Sequence, residues 1–347
     1  MNALSSTPDP HPTPASVARS DTLPFPPIEP WQHGWLDIGD GHSVYFEQCG
    51  NPDGVAVVFL HGGPGSGCAP RHRRLLDPAR FRVVLFDQRG CGRSNPRGES
   101  RHNTAADLVA DIERLRLHLG IGRWLIFGGS WGASLAVAYC ARFPAACLGA
   151  ILRGVFLTGR RDLEWFFHDA GELVPDGWAQ FAALAPRDRR ERPMEWYFDA
   201  VGGADRGLAV AAVRHWMRWE DALDAGAPVR GLPELDDDAT QACLDKYRLQ
   251  AHYLRHECFL GEAALLDRAR AIAALPVAIL HGRLDRVCRP ANAWRLHFAL
   301  RGSRLQFVGG AGHSPFDAPM VAALVAAADH FLTHGDFAAW GSSDAEP

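Results

Sequence analysis

The sequence predicts an α/β architecture, a mostly parallel central sheet flanked by helices, with a helical cap inserted into it. Three observations carry this. Short apolar runs such as Val55–Leu60 and 124–127 end in glycine-rich turns, as strands buried on both faces do. Stretches with helical spacing alternate with them, the rhythm of a parallel sheet. That rhythm stops after Phe156 and resumes at Pro276, so the two ends of the chain share one sheet.

In chain order, residues 1–22 are rich in Pro, Ser and Thr and are expected to be a disordered leader. Four prolines between Leu23 and Pro30 imply an extended surface path. Strand-like sequence begins near Trp35, and the runs 55–60 and 82–86 read as buried strands. A helix follows, capped by Asn103 or Thr104, with Leu108, Ile112, Leu115 and Leu119 as its apolar stripe and Gly120 as its stop. The strand at 124–127 runs into Gly128-Gly129-Ser130-Trp131-Gly132 and then a helix from Ala133 to Arg142, ended by Phe143-Pro144. A further strand is expected at 150–155. Residues 157–268 hold many tryptophans and helical spacings without a strand pattern and read as the cap. Strands return at 276–280 and 305–308, so the core is assigned to 23–156 and 269–340.

Composition narrows the function. Apolar residues make up 47% and charged residues 22% of the 347, ordinary globular values. A net charge of −4 gives no electrostatic case for nucleic acid, and the basic runs at 71–74 and 187–192 read as solvated faces. No apolar stretch is long enough to span a membrane. Residues 1–20 lack the basic and apolar regions of a signal peptide, and the eight cysteines form no CxxC or His/Cys metal pattern. The expectation is a cytoplasmic protein with free, mostly buried thiols, no metal and no cofactor.

The chemistry is concentrated in a few motifs. Gly128-x-Ser130-x-Gly132 lies between a strand and a helix, where a tight turn presents the serine hydroxyl above the sheet. A serine becomes nucleophilic when a base takes its proton and an acid orients the base. In the α/β-hydrolase arrangement the chain order is serine, acid, histidine. Asp285 follows one C-terminal strand in His281-Gly282-Arg283-Leu284-Asp285, and His313 follows the next in Gly309-Gly310-Ala311-Gly312-His313. Both fall where open α/β sheets place their sites. Asp87 and Asp317 are rival acids, but Asp87 precedes the serine and is expected to order its loop with Arg89. His61, His281 and His297 read as core or turn residues. The loop His61-Gly62-Gly63-Pro64-Gly65 follows a buried strand. Its Gly63 N–H, with that of Trp131, is expected to form an oxyanion hole; Pro64 has no N–H to offer.

HGGPG at 61–65, Asp87-Gln88-Arg89-Gly90-Cys91-Gly92-Arg93-Ser94 and Gly128-Gly129-Ser130-Trp131-Gly132 together resemble the proline iminopeptidase family, and the likeness extends over nearly all the chain after the leader. The resemblance implies release of N-terminal proline from small peptides through an acyl-enzyme, without a metal. It places Glu220, in Trp216-Met217-Arg218-Trp219-Glu220, on the cationic imino terminus of the substrate. A second family glutamate is replaced by Gln250 and a pocket phenylalanine by Leu254. Phe156 and Phe166 fall where the family's apolar wall for the proline ring is expected. Glu257, seven residues beyond Gln250, would share its face if the segment is helical and is a candidate substitute for the lost charge. The loss of that charge leaves an alternative specificity open: a neutral ester or amide, or other N-terminal residues.

Overall fold

The computed structural model describes residues 23–340; the leader assigned to 1–22 lies outside the described residues. The strands are β1 (Gln32–Gly39), β2 (His42–Gly50), β3 (Val55–Leu60), β4 (Phe81–Phe86), β5 (Trp124–Gly129), β6 (Cys147–Arg153), β7 (Val277–Gly282) and β8 (Arg304–Val308). They form one sheet in the order β1-β2-β4-β3-β5-β6-β7-β8. From β4 to β8 all pairings are parallel, while β1–β2 and β2–β4 are antiparallel. The strand pattern near Trp35 thus resolves into a hairpin. Its turn, Gly39-Asp40-Gly41, has positive φ at all three residues, the conformation a tight hairpin needs.

Helices α1 (Ala105–His118) and α2 (Trp131–Arg142) follow β4 and β5. Thr104, not Asn103, caps α1: Asp107 N–H donates to Thr104 Oγ1, and Thr104 N–H donates to Asp107 Oδ2 at 2.9 Å. Asn103 is buried instead, donating to the carbonyls of Arg89 and Glu99 and accepting from Tyr253 Oη. Between β6 and β7 lie α3 (Arg160–Phe167), α4 (Pro175–Ala182), α5 (Met194–Gly202), α6 (Arg206–Ala225), α7 (Asp237–Arg255) and α8 (Glu262–Ala271), with no strand among the described residues. Position 268 falls inside α8, which packs on α2 and on α9 (Pro290–Ala299). The chain ends its described part with α10 (Ala318–His334).

The alternation within β3 shows how the sheet divides the core. Val58 and Leu60 join the α1 and α2 side chains in one cluster. Val57 and Phe59 join Met320, Val321 and Leu324 of α10 in the other. With helices on both faces, the continuous apolar run of β3 is required rather than incidental. The site therefore has only one place to form, the loops at the strands' C-terminal ends.

Candidate active site

Ser130 is the residue between β5 and α2, and its backbone stands at φ 57, ψ −123, a conformation that costs a non-glycine residue on the order of 1–3 kcal/mol. The neighbours hold it there. A Cβ on Gly132 would run into the Leu60 carbonyl of β3, so only glycine lets α2 start this close to the sheet. Ser130 N–H is tied to the Arg153 carbonyl at 2.9 Å. The helix begins at Trp131, two residues earlier than its apolar pattern suggests.

Asp285 and His313 meet from the loops after β7 and β8, with His313 Nδ1 2.8 Å from Asp285 Oδ2. A carboxylate can only accept, so the proton lies on Nδ1 and Nε2 is left with a free lone pair. Asp285 Oδ1 accepts from the backbone N–H groups of Val287 and Cys288. His281 approaches Oδ2 at 3.3 Å. Since Val155 N–H donates to His281 Nδ1, its Nε2 is the donor, shared with the Cys288 carbonyl. Burial alone would raise the Asp285 carboxyl, but His313 and His281 outweigh it and hold the group well below the usual carboxylate range.

Gly63 has φ 115 in the turn after β3, and a Cβ there would press on the Gly65 and Ser66 amides. Trp131 is the first residue of α2, where N–H groups have no intrahelical acceptor. A residue not singled out from the sequence joins these two segments. Gln88 accepts from Trp131 Nε1 at 2.9 Å, donates to the His61 carbonyl at 3.0 Å, and offers its own N–H to His61 Nε2. His61 is thus a turn residue, as read. The pairing of Asp87 is corrected: it receives Arg93, through Nε at 2.8 Å, and the Cys68 amide, while Arg89 forms a buried bidentate pair with Asp111. Arg93, six residues on, returns to Asp87 because the intervening turn at Gly90 and Gly92 doubles the loop back.

Ser130 and His313 line a cavity of about 520 Å³, together with Gly63, Phe156, Phe166, Glu220, Gln250 and Leu254. Asp285 sits behind it, fully enclosed. The floor comes from the sheet loops and the roof from α3, α6 and α7. Glu220 on α6 accepts from Tyr247 Oη at 2.6 Å and from Gln250 Nε2 at 3.0 Å, both on α7, with Lys246 Nζ at 3.9 Å. Burial and the Glu220 charge push the Tyr247 phenol well above its usual range, so it remains a donor. Gln250 is 7% exposed, and its Oε1 has no partner among the described residues. Tyr247 precedes Gln250 by three residues on one helix, so the spacing rule applied to Glu257 could have found it. Glu257 is not brought to this cavity. The helix α7 ends at Arg255, and Glu257 follows in a turn with φ 48, so the helical spacing that linked it to Gln250 is broken.

Two further cavity residues escaped the sequence reading. Arg153 ends β6, is buried, and donates to the His313 carbonyl. Cys288 lines the cavity with Ser130, and burial followed by the Asp285 charge raises its thiol well above the usual range, so it is neutral. Neither belongs to a short motif; both are placed by strand register and by the turn of the Asp285 loop.

A strand–serine–helix turn at the carboxyl edge of a parallel sheet, with a His–Asp pair from later loops, defines a class. The family model for the alpha/beta hydrolase fold matches residues 55–318, and the chain belongs to that family. A solved esterase from Rhodococcus sp. ECU1013 shares the fold at 22% identity and a TM-score of 0.57, over 87% of this chain and 98% of that one. Within the class the chain belongs to the proline iminopeptidase family. It is 44% identical to the proline iminopeptidase of Xanthomonas citri over 88% of this chain and 98% of that protein. It is 40% identical to that of Arabidopsis thaliana over 93% and 85%.

The eight cysteines are free, six of them buried. No helix among the described residues is long and apolar enough to cross a membrane.

Proposed function

We propose that the protein is a serine aminopeptidase that releases proline from the N-terminus of short peptides. The observation that carries this reading is the Glu220 carboxylate, fixed by Tyr247 and Gln250 in the same cavity as Ser130 and His313. An imino terminus is cationic and needs a carboxylate with further acceptors; Glu220 supplies the charge and the unpartnered Gln250 Oε1 a second acceptor. The substitution of glutamine for the family's glutamate therefore keeps an acceptor and orients the remaining carboxylate.

In the mechanism, Ser130 Oγ attacks the scissile carbonyl while His313 Nε2 takes its proton, and Asp285 stabilises the imidazolium. The N–H groups of Gly63 and Trp131 receive the oxyanion. His313 then protonates the leaving amine, and water, activated by the same imidazole, hydrolyses the prolyl ester on Ser130. Phe156, Phe166 and Leu254 enclose the pyrrolidine ring. The segment between β6 and β7 acts as a lid that excludes long folded chains.

Proline p-nitroanilide tests the reading. Release of p-nitroaniline is expected from the wild type and not from Ser130→Ala. Glu220→Gln should raise KM for this substrate by about 10- to 100-fold, the range for losing a charge-assisted contact, while hydrolysis of uncharged p-nitrophenyl acetate changes little. Equal loss on both substrates would refute the role of Glu220.

A further inference from the structure

The cavity lining carries charges of both signs. From α6 come Glu220, with Lys246 Nζ at 3.9 Å, Asp221, and Asp224, which lies against Gly312 beside His313. Arg71 also lines the cavity, from the 3₁₀ turn Pro70–Leu75 that follows the HGGPG loop. Its guanidinium lies 4.8 Å from the centre of the Phe316 ring, and the two residues before Phe316, Ser314 and Pro315, line the cavity directly after His313. A cation held over a ring face keeps its N–H donors free at its edge. No carboxylate among the described residues makes an ion pair with Arg71. The other arginine in the cavity wall, Arg153, is buried and committed to the His313 carbonyl.

The chemistry gives the cavity a direction. His313 must hand a proton to the departing amine, so the leaving part of the peptide passes His313 and the Ser314–Pro315 segment that continues from it. The substrate's imino terminus is held by Glu220. Arg71 therefore stands where the chain beyond the scissile bond emerges. Resting on the aminopeptidase reading, we infer that Arg71 recognises the free α-carboxylate of the shortest substrates and makes the enzyme selective for prolyl dipeptides. The substrate is thus gripped at both charged ends, its cation by the α6 acid and its anion by the arginine. The site is exposed, which sets the contribution at the modest size of a partly hydrated charged contact.

The experiment compares Pro-Ala with its C-terminal amide, Pro-Ala-NH2, on wild type, Arg71→Gln and Arg71→Lys at neutral pH. The wild-type kcat/KM should favour the free acid by about five- to tenfold. The ratio should fall to near one in Arg71→Gln, be intermediate in Arg71→Lys, and shrink in the wild type as salt is raised. Because the ratio is taken within one protein, a change in folding or in the chemical step cancels. A wild type that ignores the carboxylate, or a preference that survives Arg71→Gln, overturns the assignment while leaving proline release intact. Failure to release proline from either peptide and from proline p-nitroanilide overturns the aminopeptidase reading and this one with it.

Discussion

Single side chains at this site are legible where they sit in a motif and illegible where partners come from another element. Ser130, Asp285 and His313 could be read because a nucleophile turn and two strand-end loops constrain their order along the chain. Gln88 and Arg153 could not, since they act by reaching groups 43 and 160 positions away. The Glu220 network gives two predictions. Tyr247→Phe removes the 2.6 Å hydrogen bond to Glu220 and should raise KM for proline p-nitroanilide about five- to tenfold at nearly unchanged kcat. Gln250→Glu replaces a donor 3.0 Å from Glu220 by a like charge, which raises one of the two carboxyls. The pH dependence of kcat/KM should then show an additional ionisation absent from the wild type. For Asp285→Asn, kcat should fall about 10³- to 10⁴-fold, because the amide can present a donor to His313 and favour the wrong tautomer; steady-state kinetics checks it.

At the scale of elements, periodicity predicted existence and type well and ends less well. The buried strands and α1 are evident from apolar runs and spacing, yet the strand-like pattern that begins near Trp35 does not by itself separate β1 from β2. Its turn, Gly39-Asp40-Gly41, carries a glycine signal of the kind that elsewhere marked strand ends. The start of α2 was missed for a different reason: Trp131 and Gly132 are poor pattern residues, and the helix begins there because the sheet edge and Ser130 fix it. Gly132→Ala should therefore cost about 2 kcal/mol or more and abolish hydrolysis, as the added Cβ meets the Leu60 carbonyl. Gly122→Ala, which meets nothing within 4 Å, should leave the thermal midpoint nearly unchanged. Differential scanning calorimetry on the pair checks the contrast.

For the whole molecule, buried carboxylates outside the cavity govern acid stability. Glu47 on β2 is 1% exposed and receives Arg73 Nε at 2.8 Å, Arg93 Nη1 at 3.0 Å and Tyr45 Oη at 3.1 Å. Burial would raise its carboxyl, but the two arginines prevail and lower it. Asp285 is lowered in the same sense. Both groups bind protons less readily folded than unfolded, so their stabilisation is complete above the unfolded values of about 4.3 and 3.9. It is lost as pH falls below them, because the unfolded chain then takes up more protons. Urea midpoints should drop steeply below about pH 4.5, and Glu47→Gln should flatten that slope while costing about 3 kcal/mol near neutrality by stranding Arg73. The helical excursion between β6 and β7 has a consequence of another kind. Those strands are parallel hydrogen-bonded neighbours, so the excursion leaves the carboxyl end of β6 and has to travel back to the amino end of β7, a crossing made by α8, which packs on α2 and α9. The helices ahead of α8 are therefore strung between a fixed strand end and a packed crossover, so that their lining can be exchanged without re-registering the sheet beneath.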